Sequence, residues 1–163
     1  MIKINQNFLG VNYLFDKVQY FPKFCNFVSS LDFNTFAFLS DKLEQSVFIE
    51  QHGKLKIELF EKTFTGQEII KELSSCFNLE NKKVDLHLYG SMIKKGLTYN
   101  HLDQEDVLLI GAFGKVIYNI YSEELGRFDS ITLEEGDMLI VPKNTEHSAI
   151  PLCPRIVISA GVY

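Results

Sequence analysis

From residue 81 onward, apolar residues come in short runs separated by turns, with no helical period. The runs predict strands at 83–89, 97–101, 106–112, 115–121, 128–133, 138–141 and 155–162. Gly96, Gly114, Gly126 and Gly136 sit between them, where a backbone free to take positive φ is useful. Short strands in close succession with no intervening helix predict an antiparallel barrel or sandwich. The first 80 residues have a different texture. Ser46–Glu50 and Lys54–Phe60 flank Gln51-His52-Gly53; the second run alternates charged and apolar residues, which predicts a hairpin with one wet face and His52 solvated at its turn. Thr65-Gly66-Gln67-Glu68 fits a capping box, and Ile69, Ile70, Leu73, Cys76 and Phe77 follow on one helical face. Residues 20–45 are expected to hold a further helix or two. The expectation is one mainly-β domain over 1–163, with hairpin and helices over 1–80 covering a barrel built from 81–163.

Composition narrows the functional classes. The chain has 163 residues, 46% of them hydrophobic, with 14 Phe, 7 Tyr and no Trp. Ring side chains in that number suit packed sheet surfaces. Sixteen Lys and Arg against twenty-one Asp and Glu, a net charge of −5, give no attraction for phosphate backbones, so direct nucleic-acid binding is not expected. No apolar run approaches the roughly 20 residues of a bilayer span, and the start lacks the pattern of a signal peptide. Cys25, Cys76 and Cys153 form no Cys-x-x-Cys pair. Free thiols and a cytoplasmic location are expected. Exposed aromatic strands suggest a homodimer formed through a sheet edge.

The candidate chemistry lies in His101-Leu102-Asp103 and in His147. Residues i and i+2 of a strand project to one side, so His101 and Asp103 can face one point. Gly136-Asp137 makes a turn, Met138–Val141 a strand, and Pro142 leads a second turn ending at His147. Asp137 is expected to bond its own turn backbone, and Glu146 to point away from His147. Four strands fit between His101 and His147, so a barrel can bring them face to face. Two imidazoles and a carboxylate on one face form the triad that leaves open positions on Fe(II), although such donors accept other first-row ions. His87, alternating with Leu86 and Leu88, is expected to be a partly buried, hydrogen-bonded histidine.

The stretch His101-Leu102-Asp103-Gln104-Glu105-Asp106-Val107, an HxDxxDV pattern, followed by Gly136-Asp137-Met138-Leu139-Ile140-Val141-Pro142 and His147, resembles the cupin-like, Jumonji-C-type oxygenases, and among them the ribosomal-oxygenase branch. The resemblance covers residues 83 to 163. It implies a double-stranded β-helix, the jelly-roll barrel of the cupins, with Fe(II) held by His101, Asp103 and His147. It also implies 2-oxoglutarate as cosubstrate and a small-molecule or peptide substrate that is hydroxylated. For the cosubstrate, the resemblance points to Lys115 beside Gly114 and to the Thr98 hydroxyl; the Tyr89 phenol on the strand before, and Arg155 or Ser159 by parity on the last strand, are further candidates. Lys115 stands one residue before the position where relatives keep a cation, which Val116 occupies, and Val157 stands where relatives often have a polar residue. Strand parity then turns Lys115 outward unless a bulge re-aims it. These departures leave a second reading open: a cupin-like metal or small-ligand binding protein without the 2-oxoglutarate site.

Overall fold

The structure, a computed structural model, describes residues 2–9, 15–27, 31–42, 47–49, 54–92 and 98–163. His52 and Gly96 lie outside them. The N-terminal region contains strands β1 (Ile2–Ile4), β2 (Gln19–Phe21) and β3 (Cys25–Phe27), helix α1 (Phe33–Lys42), strands β4 (Val47–Ile49) and β5 (Lys54–Ile57), and helix α2 (Phe64–Phe77). Eight strands follow: β6 (Val84–Ser91), β7 (Thr98–His101), β8 (Asp106–Phe113), β9 (Val116–Ser122), β10 (Arg127–Leu133), β11 (Met138–Val141), β12 (His147–Pro151) and β13 (Arg155–Val162).

The strands form a seven-stranded sheet in the order β2-β11-β8-β13-β6-β5-β4 and a four-stranded sheet in the order β10-β9-β12-β7. All of their pairings are antiparallel. From β6 to β13 the chain alternates between large and small sheet, except at the β9–β10 hairpin, where it turns back within the small one. That path is the double-stranded β-helix expected from the sequence.

The central strands β8, β11 and β13 of the large sheet are buried on both faces, which is why they read as continuous apolar runs. In β8, Leu108 and Ile110 pack into the cluster under the N-terminal layer, with Phe24, Phe36, Ile69 and Leu73. Val107 and Leu109, of opposite parity, face the barrel interior with Val116, Tyr118, Ile120 and Val157. Phe side chains concentrate in the outer cluster, where Phe24 lies 5.5 Å from Phe8 and 6.0 Å from Phe77.

Two elements differ from the sequence expectation. Helix α2 is capped by Thr63, whose hydroxyl accepts from Gly66 N at 2.9 Å, so it starts before the Thr65 capping box. The N-terminal segment does more than cover the barrel: β5 pairs with β6, and β2 pairs with β11, extending the large sheet at both edges.

Asp137 holds the β2 edge. It accepts from Glu134 N of its own turn at 3.0 Å, as expected, and also from Lys23 N at 2.8 Å and Tyr20 Oη at 2.7 Å. Gly136 beside it has φ +84°, and a Cβ there would come within 2.5 Å of the Cys25 carbonyl oxygen. Asp137→Ala strands three donors near the core and should cost about 2–4 kcal/mol by urea denaturation. Asp129→Ala, in an exposed pair with Arg127, should cost no more than about 0.5 kcal/mol.

Candidate metal centre

Strand β12 places the site. It lies between β9 and β7, and its first residue, His147, stands opposite His101, the last residue of β7. The sequence reading ended a turn at His147; the structure starts a strand there, because Ser148 and Ala149 pair with Asn119 and Tyr118 of β9. Asp103 lies just past the end of β7 rather than within it. The chain bends there, and the Asp103 carbonyl accepts from Asn144 N at 2.8 Å, tying it to the loop before His147.

The three side chains converge, each offering a ligand atom within 4.8 Å of the others. Asp103 Oδ1 is 3.7 Å from His101 Nε2, and Asp103 Oδ2 is 3.5 Å from His147 Nε2. Ligand atoms about 2.1 Å from one shared ion stand about 3.0–3.4 Å apart, so a small inward movement closes the set. The imidazoles are oriented for it. His101 Nδ1 lies 2.9 Å from the Tyr99 carbonyl and His147 Nδ1 2.9 Å from the Thr145 carbonyl. A carbonyl only accepts, so each Nδ1 carries the proton and each Nε2 presents its lone pair to the point that Asp103 faces. His147 is buried, and burial pushes its pKa below the ordinary imidazole value, with the neighbouring His101 adding to the effect. The donor set fits a divalent first-row ion. Glu146 turns away, its carboxylate accepting from Asn100 Nδ2 at 3.0 Å.

The triad opens into a cavity of about 200 Å³ between the two sheets. Thr98, Tyr89, Arg155 and Ser159 line it, as do Lys54, His87 and Tyr118. Lys115 does not: it is exposed and ion-paired with Glu134 at 2.7 Å, as strand parity without a re-aiming bulge requires. Val116 points into the barrel core, 1% exposed. Arg155 is the most deeply buried cation of the cavity lining. It is 1% exposed, its Nε has no hydrogen-bond partner, and no carboxylate among the described residues pairs with it. Burial pushes its pKa down from the ordinary value, opposed by Tyr118 and Tyr89, and the Tyr118 phenol is pushed up to about 12. A guanidinium buried without a counter-charge costs several kcal/mol unless polar groups or an anion answer it. His87 is half-buried, as expected, but its Nδ1 has no hydrogen-bond partner.

Lys54 and Tyr118 are among the lining residues that the sequence reading did not single out. Lys54 belongs to the charged face of the predicted hairpin; Lys54 and Lys56 of that face meet the cavity, and Lys54 is 8% exposed. Tyr118 shares the parity of Val116 and Ile120, so nothing in the pattern separates it from the core.

No protein-family model and no curated protein matches the sequence. Solved structures match by fold. The ribosomal oxygenase YcfD from Escherichia coli, in complex with cobalt and succinic acid, superposes with a TM-score of 0.75 at 18% identity over 95% of this chain and 52% of that one. Its complex with cobalt and 2-oxoglutarate gives 0.74 at the same identity and coverage. A variant of oxalate decarboxylase from Bacillus subtilis gives 0.53 at 15% identity, over 73% of this chain and 28% of that one. The chain thus shares the cupin-type barrel of these proteins and spans about half the length of YcfD.

Burial lowers the pKa of both His147 and His87. The unfolded chain therefore takes up protons near about pH 6.5 that the folded chain resists, and stability falls as pH drops through that range. The Tm of the metal-free protein should be lower at about pH 5.5 than at about pH 7.5. Added Mn(II) should raise Tm at the higher pH and have less effect at the lower, because protons compete for the same nitrogens.

Proposed function

We propose that the protein is an Fe(II)- and 2-oxoglutarate-dependent oxygenase acting on a small molecule or a peptide side chain. The observation that carries this reading is that one cavity contains both a His-Asp-His cluster and a buried guanidinium without a counter-charge. The fold shared with YcfD, whose structures contain cobalt with 2-oxoglutarate or succinic acid, supports it. In this reading His101, Asp103 and His147 hold the metal and leave open positions facing the cavity. Bound there, Fe(II) supplies the oxidising chemistry that no side chain of the protein provides.

The protein's own part is binding, orientation and exclusion of water. Arg155 receives the distal carboxylate of the cosubstrate by charge-assisted hydrogen bonds in a dry environment. Tyr118, buried beside Arg155 and still protonated, offers a phenolic donor to the same oxygens. Tyr89 and Thr98 flank this end, and Ser159 lies further along β13. Val116 stands where the resembled family keeps a cation, and in this reading the charge comes from β13 instead. The main-chain carbonyls of Tyr99 and Thr145 keep both imidazoles in the metal-binding tautomer through the reaction. The free thiols of Cys25, Cys76 and Cys153 suit a cytoplasmic location.

The alternative is a metal-binding cupin without the cosubstrate site, favoured by the apolar Val116 and Val157. The two separate by experiment. Purified protein supplied with Fe(II) and oxygen should convert 2-oxoglutarate to succinate slowly even without a substrate. Arg155→Met should raise the 2-oxoglutarate concentration needed by about 30-fold or more. His101→Ala should lower metal content measured by elemental analysis. Bound metal with no 2-oxoglutarate consumption and no 2-oxoglutarate binding would select the binding protein.

A further inference from the structure

Residues opposite one another in a β-ladder project to the same side, with Cβ atoms about 4.5–5.5 Å apart. His87 of β6 stands opposite Ser159 of β13, and both line the cavity, so an imidazole and a hydroxyl make one row on the inner face of the large sheet. Ser159 lies four residues beyond Arg155 on β13, about 13 Å of strand, which separates this row from the guanidinium. The metal cluster opens into the same cavity. The fold gives the row no partner of its own: His87 Nδ1 is buried and unpaired, and among the described residues neither His87 Nε2 nor Ser159 Oγ makes a hydrogen bond.

Buried N–H groups without an acceptor are rarer than unpaired lone pairs. The neutral ring therefore carries its proton on Nε2, toward the cavity, and leaves a bare lone pair on Nδ1. The charged groups that act on His87 are answered elsewhere. Lys56 pairs with Glu58 at 2.7 Å, Asp85 with Lys83 at 2.9 Å, and Glu61 accepts from Leu86 N at 3.2 Å. Burial, with Lys56 adding to it, holds the imidazole pKa below the ordinary value against Glu58, Glu61 and Asp85. At the neighbouring Gly161, the Glu105 carboxylate is engaged by the Tyr163 hydroxyl. What the row offers is an uncharged N–H donor beside a hydroxyl that both donates and accepts. An ionic group would give up its hydration there without meeting a counter-charge, whereas a neutral polar group keeps its hydrogen bonds.

We infer that His87 and Ser159 form a subsite for an uncharged amide of the substrate, whose carbonyl oxygen accepts from His87 Nε2 and whose N–H donates to Ser159 Oγ. The inference rests on the proposed oxygenase reading and narrows its substrate to molecules that carry such an amide. It gives a function to a buried histidine that neither the metal cluster nor the cosubstrate end uses. The Tyr89 ring, 6.3 Å away and edge-on, fixes the direction of the imidazole.

The test uses benzamide, benzoate and benzamidine, which share one shape and differ in charge. The full chain, labelled with nitrogen-15 in histidine, is loaded with Zn(II) and saturated with succinate to fill the cosubstrate end. Two-bond nitrogen–proton spectra report the tautomer of each imidazole, and the His87 signals are those missing from His87→Gln. The wild type should show His87 protonated on Nε2. Benzamide should move the His87 signals to saturation at concentrations where benzoate and benzamidine move them little. His87→Phe and Ser159→Ala should each weaken benzamide by about 10-fold, whereas His87→Gln, which keeps an N–H donor, should hold it within about 3-fold. If His87→Phe does not fold, the wild-type tautomer, the order of the three ligands and Ser159→Ala carry the test. A proton on Nδ1, a benzoate or benzamidine affinity equal to that of benzamide or above it, or an unchanged benzamide affinity in folded His87→Phe would overturn the inference and leave the proposed function standing. Failure of the wild type to bind succinate alongside Zn(II) would overturn both.

Discussion

The small sheet depends on one pairing. Strand β12 lies between β7 and β9, and the pairing of His147 with His101 both continues that sheet and brings together two imidazoles that are far apart in sequence. The ring centroids stand 4.2 Å apart. Each ring is turned by a hydrogen bond to the carbonyl two residues before it, the same local device used twice. The backbone thus sets tautomer and direction, and Asp103 needs only to arrive from the bend after β7. A shift of β12 by one residue would send His147 to the outer face and dissolve the cluster.

The second constraint is electrostatic. A barrel interior of Val, Leu, Ile and Ala gives Arg155 little to answer its charge, and the nearby groups that act on it are two phenols. Such an arrangement is tolerated where a ligand supplies the missing charge, and the same low-dielectric surroundings make that interaction strong. The metal cluster and the guanidinium line one cavity. The outer face of the large sheet packs its Phe-rich cluster against α2 and the N-terminal strands, behind the wall of that cavity.

Much of this could be read in the sequence. The strands from 83 to 162 and the His-Asp-His set follow from period and spacing, because a half-buried strand and a turn glycine leave strong local marks. Strand β12 was hidden by the polar His147 and Ser148 that open it and the Pro that closes it, and β1 to β3 by their three residues each. Lys115, a cosubstrate candidate in the sequence, faces outward instead, as parity without a bulge requires. Lys54 was not found, because whether a charged face meets solvent or a cavity is decided by which strand it pairs with, and that is settled only in the fold. Thr63 displaced Thr65 as the helix cap because the preceding turn at Phe60–Lys62 delivers the chain to α2 two residues earlier.

The central claim is that metal and anion share one cavity. Visible absorption of the Co(II)-loaded protein tests it most directly, with Co(II) first titrated into the wild type and 2-oxoglutarate then added. The account predicts one tightly bound Co(II), lost in His147→Ala, whose spectrum changes when 2-oxoglutarate is added. It predicts that the change requires far more 2-oxoglutarate in Arg155→Met. A Co(II) spectrum indistinguishable from that of the free ion in solution, or one indifferent to 2-oxoglutarate at every concentration, would contradict it.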